Sequence, residues 1–257
     1  MLAVISPAKK LDESPCQSSL PYTLPDALTH TQSLIDTLSP YSEHELAELM
    51  KLSDKLAVLN VGRYQAFNLP FTPANAKQAA MMFQGDTYVG LQAQSMNQQD
   101  ISFAQEHLRI LSGLYGTLRP MDLIQPYRLE MGTRLKNERG KDLYAFWGEL
   151  PTQAINQATA GHADRTLINL ASNEYFKAVK TKQLAGPIIT PVFKEIKNGQ
   201  AKVIGLMAKR ARGMMARYLI DQRLESPEPL KSFTAGGYAY QAGLSTDSDW
   251  IFTRQAA

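Results

Sequence analysis

Apolar positions along the chain fall into short unbroken runs and into sets with helical spacing, and the two patterns interleave. Leu2-Ala-Val-Ile5 is an unbroken run closed by Ser6-Pro7, where the proline ring removes a backbone donor, so it predicts a short buried strand. Helical spacing comes next. Ala27, Leu28, Leu34, Ile35 and Leu38 predict a helix over 26–38, and Ser42 with Glu45 three residues on matches a capping box for another helix carrying Leu46, Leu49 and Met50. Ser53 is placed to cap a third through Leu56, Leu59 and Arg63, and Thr72-Pro73 predicts a fourth running to Met82. One more is expected over 98–107.

The middle of the chain reads differently. Residues 86–91 and 108–111 predict strands, as does the buried run Thr166-Leu-Ile-Asn-Leu170. Ile188 to Ile196 and Ala201 to Leu206 flank Asn198-Gly199, the dipeptide that best tolerates positive φ in a tight primed turn, and so predict a hairpin. A helix over 211–223 follows. Helices and strands thus alternate without a strict βαβ period, which predicts an α+β chain with a mixed β-sheet surrounded by helices. Pro15, Pro21 and Pro25 mark a surface loop rather than a linker, and no internal repeat is present, so a single domain over 1–257 is expected.

Composition narrows the class without changing it. With 44% hydrophobic and 20% charged residues among 257, the chain can bury its own core, and collagen-like, coiled-coil and disordered classes are excluded. The one cysteine, Cys16, cannot form an intramolecular disulfide or a multi-cysteine zinc site, which points to a reducing compartment and an idle loop thiol. No apolar stretch is long enough to span a membrane, and the first apolar run is too short for a secretory leader; a cytoplasmic location is expected. Histidines 30, 44, 107 and 162 show no metal-ligand spacing, so no metal or cofactor is expected.

Charge does change the picture. Residues 1–128 carry 9 Lys and Arg against 12 Asp and Glu, whereas 129–257 carry 18 against 12. The excess is local. Lys202, Lys209, Arg210, Arg212, Arg217 and Arg223 face only Asp221 within 202–223, a field that attracts phosphates or a polyanion, although a solvated helix face would look the same. On a helix, Arg210 and Arg217 share a line opposite Met207, Ala211, Met214 and Tyr218. Lys9, Lys55, Arg119, Arg128 and Lys177 fall at the ends of expected elements, where ligand groups collect in open sheets; a shared basic cleft is expected, although spacing alone does not bring these residues together.

Other motifs carry less. Gly113-Leu-Tyr-Gly116 after an expected strand either turns backbone N–H groups to a phosphate or satisfies a tight turn. Ser6-Pro-Ala-Lys9 has the S-x-x-K spacing of some serine nucleophiles but lacks their companion motifs. Glu195-Ile-Lys197 has a nuclease-like spacing yet abuts the turn, where a wet hairpin face is the simpler reading. Asp86, Glu130, Asp142, Glu149 and Glu174 are carboxylates in apolar surroundings; Asp86 or Glu130 beside the cations would suit an enzyme acting on a nucleotide or nucleic acid.

Several strings go beyond patterning. Ile5-Ser-Pro-Ala-Lys9, Ser53-Asp-Lys-Leu-Ala57, Phe71-Thr-Pro-Ala74, Leu111-Ser-Gly-Leu-Tyr-Gly116 with Leu118-Arg-Pro120, Pro126-Tyr-Arg-Leu-Glu-Met-Gly132, Asn169-Leu-Ala-Ser172 with Glu174-Tyr-Phe-Lys177, and Lys209 to Arg217 closely resemble the YaaA peroxide-stress family. The resemblance implies a fold particular to that family, with a positively charged cleft, and DNA binding without strong sequence preference, to duplex or locally unpaired DNA. It also implies a helix-hairpin-helix element, best matched by 43–66, and protection of DNA during oxidative stress by limiting free intracellular iron. Its strings carry the expected phosphate-binding residues Lys9, Lys55, Arg119, Arg128, Lys177, Lys209, Arg212 and Arg217.

Overall fold

A computed structural model describes residues 1–15 and 20–256. Cys16 lies outside the described residues. Eight strands form the main sheet: β1 (Leu2–Ile5), β2 (Leu108–Ser112), β3 (Gly116–Leu118), β4 (Leu167–Leu170), β5 (Ile188–Lys197), β6 (Gln200–Lys202), β7 (Ala239–Tyr240) and β8 (Asp249–Gln255). Their order across the sheet is β7-β8-β5-β4-β1-β2-β3, with β6 folded back on β5. The five inner strands run parallel, and β3, β6 and β7 pair antiparallel to their neighbours, so the sheet is mixed.

The helices are α1 (Leu28–Leu38), α2 (Glu43–Met50), α3 (Asp54–Ala66), α4 (Ala79–Met82), α5 (Asp86–Leu91), α6 (Gln98–His107), α7 (Leu143–Trp147), α8 (Leu150–Ala158), α9 (Asn173–Phe176) and α10 (Gly205–Asp221). With the sheet they make an α+β fold. Every side chain of β1 is fully buried, because helices cover a central parallel strand on both faces. Each such side chain contributes roughly 1.5–3 kcal/mol.

Local signals held where the chemistry was local. Ser42 and Glu45 form a reciprocal capping box at α2, and Asn198 (φ 52°) and Gly199 (φ 73°) make the tight turn between β5 and β6. The second hairpin strand is Gln200–Lys202 rather than Ala201 to Leu206, because α10 takes over at Gly205. Three further readings fail, each for a tertiary reason. Residues 86–91 form a helix, not a strand, because α5 is pressed against α10: a methyl on Gly90 would stand 2.2 Å from Arg210 O, and one on Gly213 would stand 1.8 Å from Thr87 O. Thr72 opens a turn rather than a helix. Asn75 Oδ1 accepts the Thr72 N–H at 2.8 Å, and Lys77–Gln78 then pairs with Leu123–Ile124 before α4 begins. The basic helix starts at Gly205 rather than 211, and it buries Ala208, Ala211, Met215 and Leu219 while Met207 and Met214 are only half-buried.

Candidate functional site

The chain places β1 and β2 side by side, then crosses β1 to lay down β4, β5 and β8 on its other flank. A parallel sheet opens a crevice at the carboxyl ends of its strands where the winding direction reverses. Here that point lies between β1 and β4. Ser6, just past β1, donates to Ser172 Oγ at 3.3 Å and accepts the Ser172 N–H at 2.9 Å, which ties the two strand-end loops together.

A cleft of about 330 Å³ opens above this junction. Lys9 and Lys10 enter it from the loop after β1, Arg128 and Glu130 from the segment after Leu123–Ile124, Asp86 and Tyr88 from α5, Glu174 and Tyr175 from α9, and Lys209 and Arg212 from α10. Four of the eight expected cations, Lys9, Arg128, Lys209 and Arg212, therefore meet. Both expected carboxylates, Asp86 and Glu130, line the same walls.

Contacts sort these groups. Glu130 Oε1 is 2.9 Å from Lys9 Nζ and 3.3 Å from Arg128 Nη2, so one carboxylate holds two cations in place. Arg128 is further positioned by Tyr64, whose hydroxyl donates to its carbonyl. Glu174 Oε1 accepts the Gly132 N–H at 2.9 Å. Lys209 and Arg212 are different: neither makes an ion pair or a hydrogen bond among the described residues, and burial pushes the Arg212 guanidinium below its ordinary pKa. A cation desolvated without a counter-ion gains when an anion arrives. Burial likewise raises the pKa values of the Tyr88, Tyr127 and Tyr175 hydroxyls, and Tyr88 donates to Ser6 O at 3.1 Å while Tyr127 pairs with Ser112 Oγ at 2.7 Å, so these side chains brace the cleft floor without adding charge.

The other four expected cations lie elsewhere. Arg119 Nε bonds Asp122 Oδ1 at 3.0 Å, its Nη2 reaches Leu24 O and Asp26, and it borders a separate cavity beside β3. Arg217 is held by Asp221 at 2.6 Å, Ser95 Oγ at 2.6 Å and Gln92 O at 3.0 Å, which fastens α10 to the segment after α5. Lys177 Nζ sits 5.0 Å over the Tyr144 ring, and Lys55 is exposed on α3, away from the cleft lining.

The weaker motifs have structural jobs. Gly113 to Gly116 is a buried turn: Trp147 Nε1 donates to Gly113 O at 2.9 Å, and a methyl on Gly116 would meet the Trp147 ring at 2.7 Å, so no phosphate can approach. Glu195 is 3% exposed, accepts from Arg254 Nε at 2.7 Å and from Tyr238 at 2.6 Å, and is a sheet anchor rather than a metal ligand. Ser6 and Lys9 both line the cleft, but Ser6 is engaged by Ser172 and Lys9 by Glu130. The sequence reading missed Lys10 and the role of Ser6 with Ser172 as a loop clasp. The S-x-x-K string, with Pro7 closing the first strand, was the available signal.

Fold and crevice together define a mixed-sheet α+β protein whose strand ends gather cations and carboxylates from distant segments around one hollow. The family model for the peroxide stress protein YaaA matches residues 1–244. A UPF0246 protein of Magnetococcus marinus is 69% identical over 257 residues, covering all of both chains, and a UPF0246 protein of Cellvibrio japonicus is 52% identical over 255, covering 99% of each. The chain belongs to the YaaA peroxide stress protein family.

Proposed function

We propose that this chain binds DNA during peroxide stress, through phosphate contacts in the strand-end cleft and without strong sequence preference. The observation that carries this reading is the convergence of Lys9, Lys10, Arg128, Lys209 and Arg212, from three separated segments, on one crevice. Three of these cations, Lys10, Lys209 and Arg212, make no ion pair among the described residues, and guanidinium groups offer paired donors to phosphate at any working pH. Lys55, Arg119, Lys177 and Arg217 drop out of the binding set. The α2–α3 pair also drops out, because Glu43, Glu45 and Glu48 give α2 the wrong sign for a phosphate backbone.

Protection then comes from occupancy of the DNA, in the cytoplasm. A limit on free iron would be an indirect consequence, since no group of three His, Cys, Asp or Glu among the described residues could hold a metal. No helix among the described residues is long and apolar enough to cross a membrane. Binding by counterion release predicts that affinity for a duplex falls steeply between about 50 and 200 mM salt. Titrate labelled duplex and bubble-containing DNA across that range; an affinity indifferent to salt defeats the reading.

A second reading rests on Asp86, Glu130 and Glu174 sharing those walls: an enzyme acting on a nucleotide or nucleic acid, with Asp86 or Glu130 as acid or base. The cleft volume suits a single nucleotide. Incubation with nucleotides and oligonucleotides, followed by product separation, decides it. Turnover lost in Asp86→Asn with binding retained would favour the enzyme.

A further inference from the structure

Beside the cleft, in the segment 194–214, the junction of β6 and α10 exposes apolar residues. Val203 is 54% exposed, Ile204 42% and Leu206 55%, three large apolar side chains within four residues at the junction of β6 and α10. Burying such side chains is favourable, so a cluster left in water with a polar rim marks a surface that meets something. The exposed charged residues of this segment that flank them are basic. Lys197 and Lys202 lie on one face of the β5–β6 ribbon by strand alternation, and Lys209 and Arg210 follow Leu206 by one helical turn. Neither they nor Lys194 and Arg212 make an ion pair or hydrogen bond among the described residues. The one acid in the segment, Glu195, is buried and already matched by Arg254.

The occupant follows from this composition. A second copy of the chain would bring like charge against like. An anionic lipid surface calls for a broad apolar helix face, but beyond Leu206 the apolar side of α10 is spent on the protein core at Ala208, Ala211, Met215 and Leu219. What remains is a narrow apolar tip between cations. That matches a polymer with phosphates outside and stacked bases within, and proteins that kink duplexes insert apolar wedges between base steps in this way.

Resting on the DNA-binding reading above, we infer that Val203, Ile204 and Leu206 form a wedge that enters a base step of duplex DNA. Lys197, Lys202, Lys209 and Arg210 hold the flanking phosphates. The continuity of α10 aims the opened step at the cleft, because Lys209 belongs to both surfaces and Arg212 follows it on the same helix. The tip thus supplies what the cleft alone lacks, a means of separating stacked bases in intact duplex.

The test uses the full chain and a duplex with 2-aminopurine at a central step. Wild-type protein should raise its fluorescence on binding. The triple variant Val203→Ser, Ile204→Ser, Leu206→Ser should abolish the rise and weaken duplex affinity about tenfold, with an unchanged salt slope, because wedge contacts release no counterions. These side chains are exposed, so the variant should keep the wild-type melting temperature, which verifies folding. A triple variant with wild-type fluorescence and affinity overturns the wedge and leaves the cleft reading standing. Salt-indifferent binding by the wild-type protein sinks that underlying reading, and the wedge with it. Loss of binding to phosphatidylglycerol vesicles with duplex binding intact overturns the wedge in favour of a lipid surface.

Discussion

Arg212 and Arg217 lie five residues apart on one helix and have opposite fates. Arg217 is consumed by Asp221, Ser95 and Gln92, while Arg212 reaches the cleft with no counter-ion and a guanidinium partly stripped of water. The same contrast divides the molecule. Around Glu195, Arg254 and Tyr238 the charges are matched and sealed into the sheet; from Lys197 to Arg212 the cations are open. A basic residue marks an anion site only when the fold withholds its partner.

Breaking the matched region should have the largest effect. Glu195→Ala leaves Arg254 and Tyr238 facing a desolvated gap, and denaturant unfolding should show a loss of about 4 kcal/mol. Gly213→Ala tests whether the α5–α10 contact sets the cleft wall: overpacking there should cost about 3 kcal/mol in the same assay and weaken DNA binding as α10 shifts. On the open side, Arg212→Ala should lower duplex affinity about tenfold, roughly 1.4 kcal/mol, and reduce the salt slope by about one, with little change in stability. Its counterpart Arg217→Ala should do the reverse. We expect about 0.5 kcal/mol less stability and an affinity within about twofold of wild type; a large binding defect in Arg217→Ala would erase the distinction between the two arginines.

The smallest effect concerns two histidines that burial keeps uncharged. His107 stacks on His162 at 4.6 Å, and burial lowers both pKa values. Since protonation is easier in the unfolded chain, stability should be complete above about pH 6.5 and decline as the pH falls through that value. Melting scans from about pH 7.5 to 5 should show this decline, and His162→Asn should flatten it.

Much of the architecture was legible where one stretch of chain decides its own conformation. The apolar run of β1, the capping box at Ser42 and the Asn198-Gly199 turn each carry their cause within a few residues. Helix α5 does not, because Asp86 to Leu91 has strand-like side chains and becomes helical under contact with α10. The cleft was legible only as a collection of cations. Lys9, Arg128, Lys209 and Arg212 look no different in sequence from Arg119 and Arg217.

The sequence by itself determined the fold class, the basic bias of the second half and the residue types from which a phosphate site can be built, since composition and short-range pattern are sufficient for each, and its ordered strings carried the family resemblance. Tertiary structure alone decided which cations face one another, which are cancelled by Asp122 or Asp221, and that Asp86 and Glu130 share their walls. Those outcomes depend on strand order and on the close contact at Gly90 and Gly213. Electrostatic pairing acts over a few ångströms of space, and no spacing along the chain encodes it.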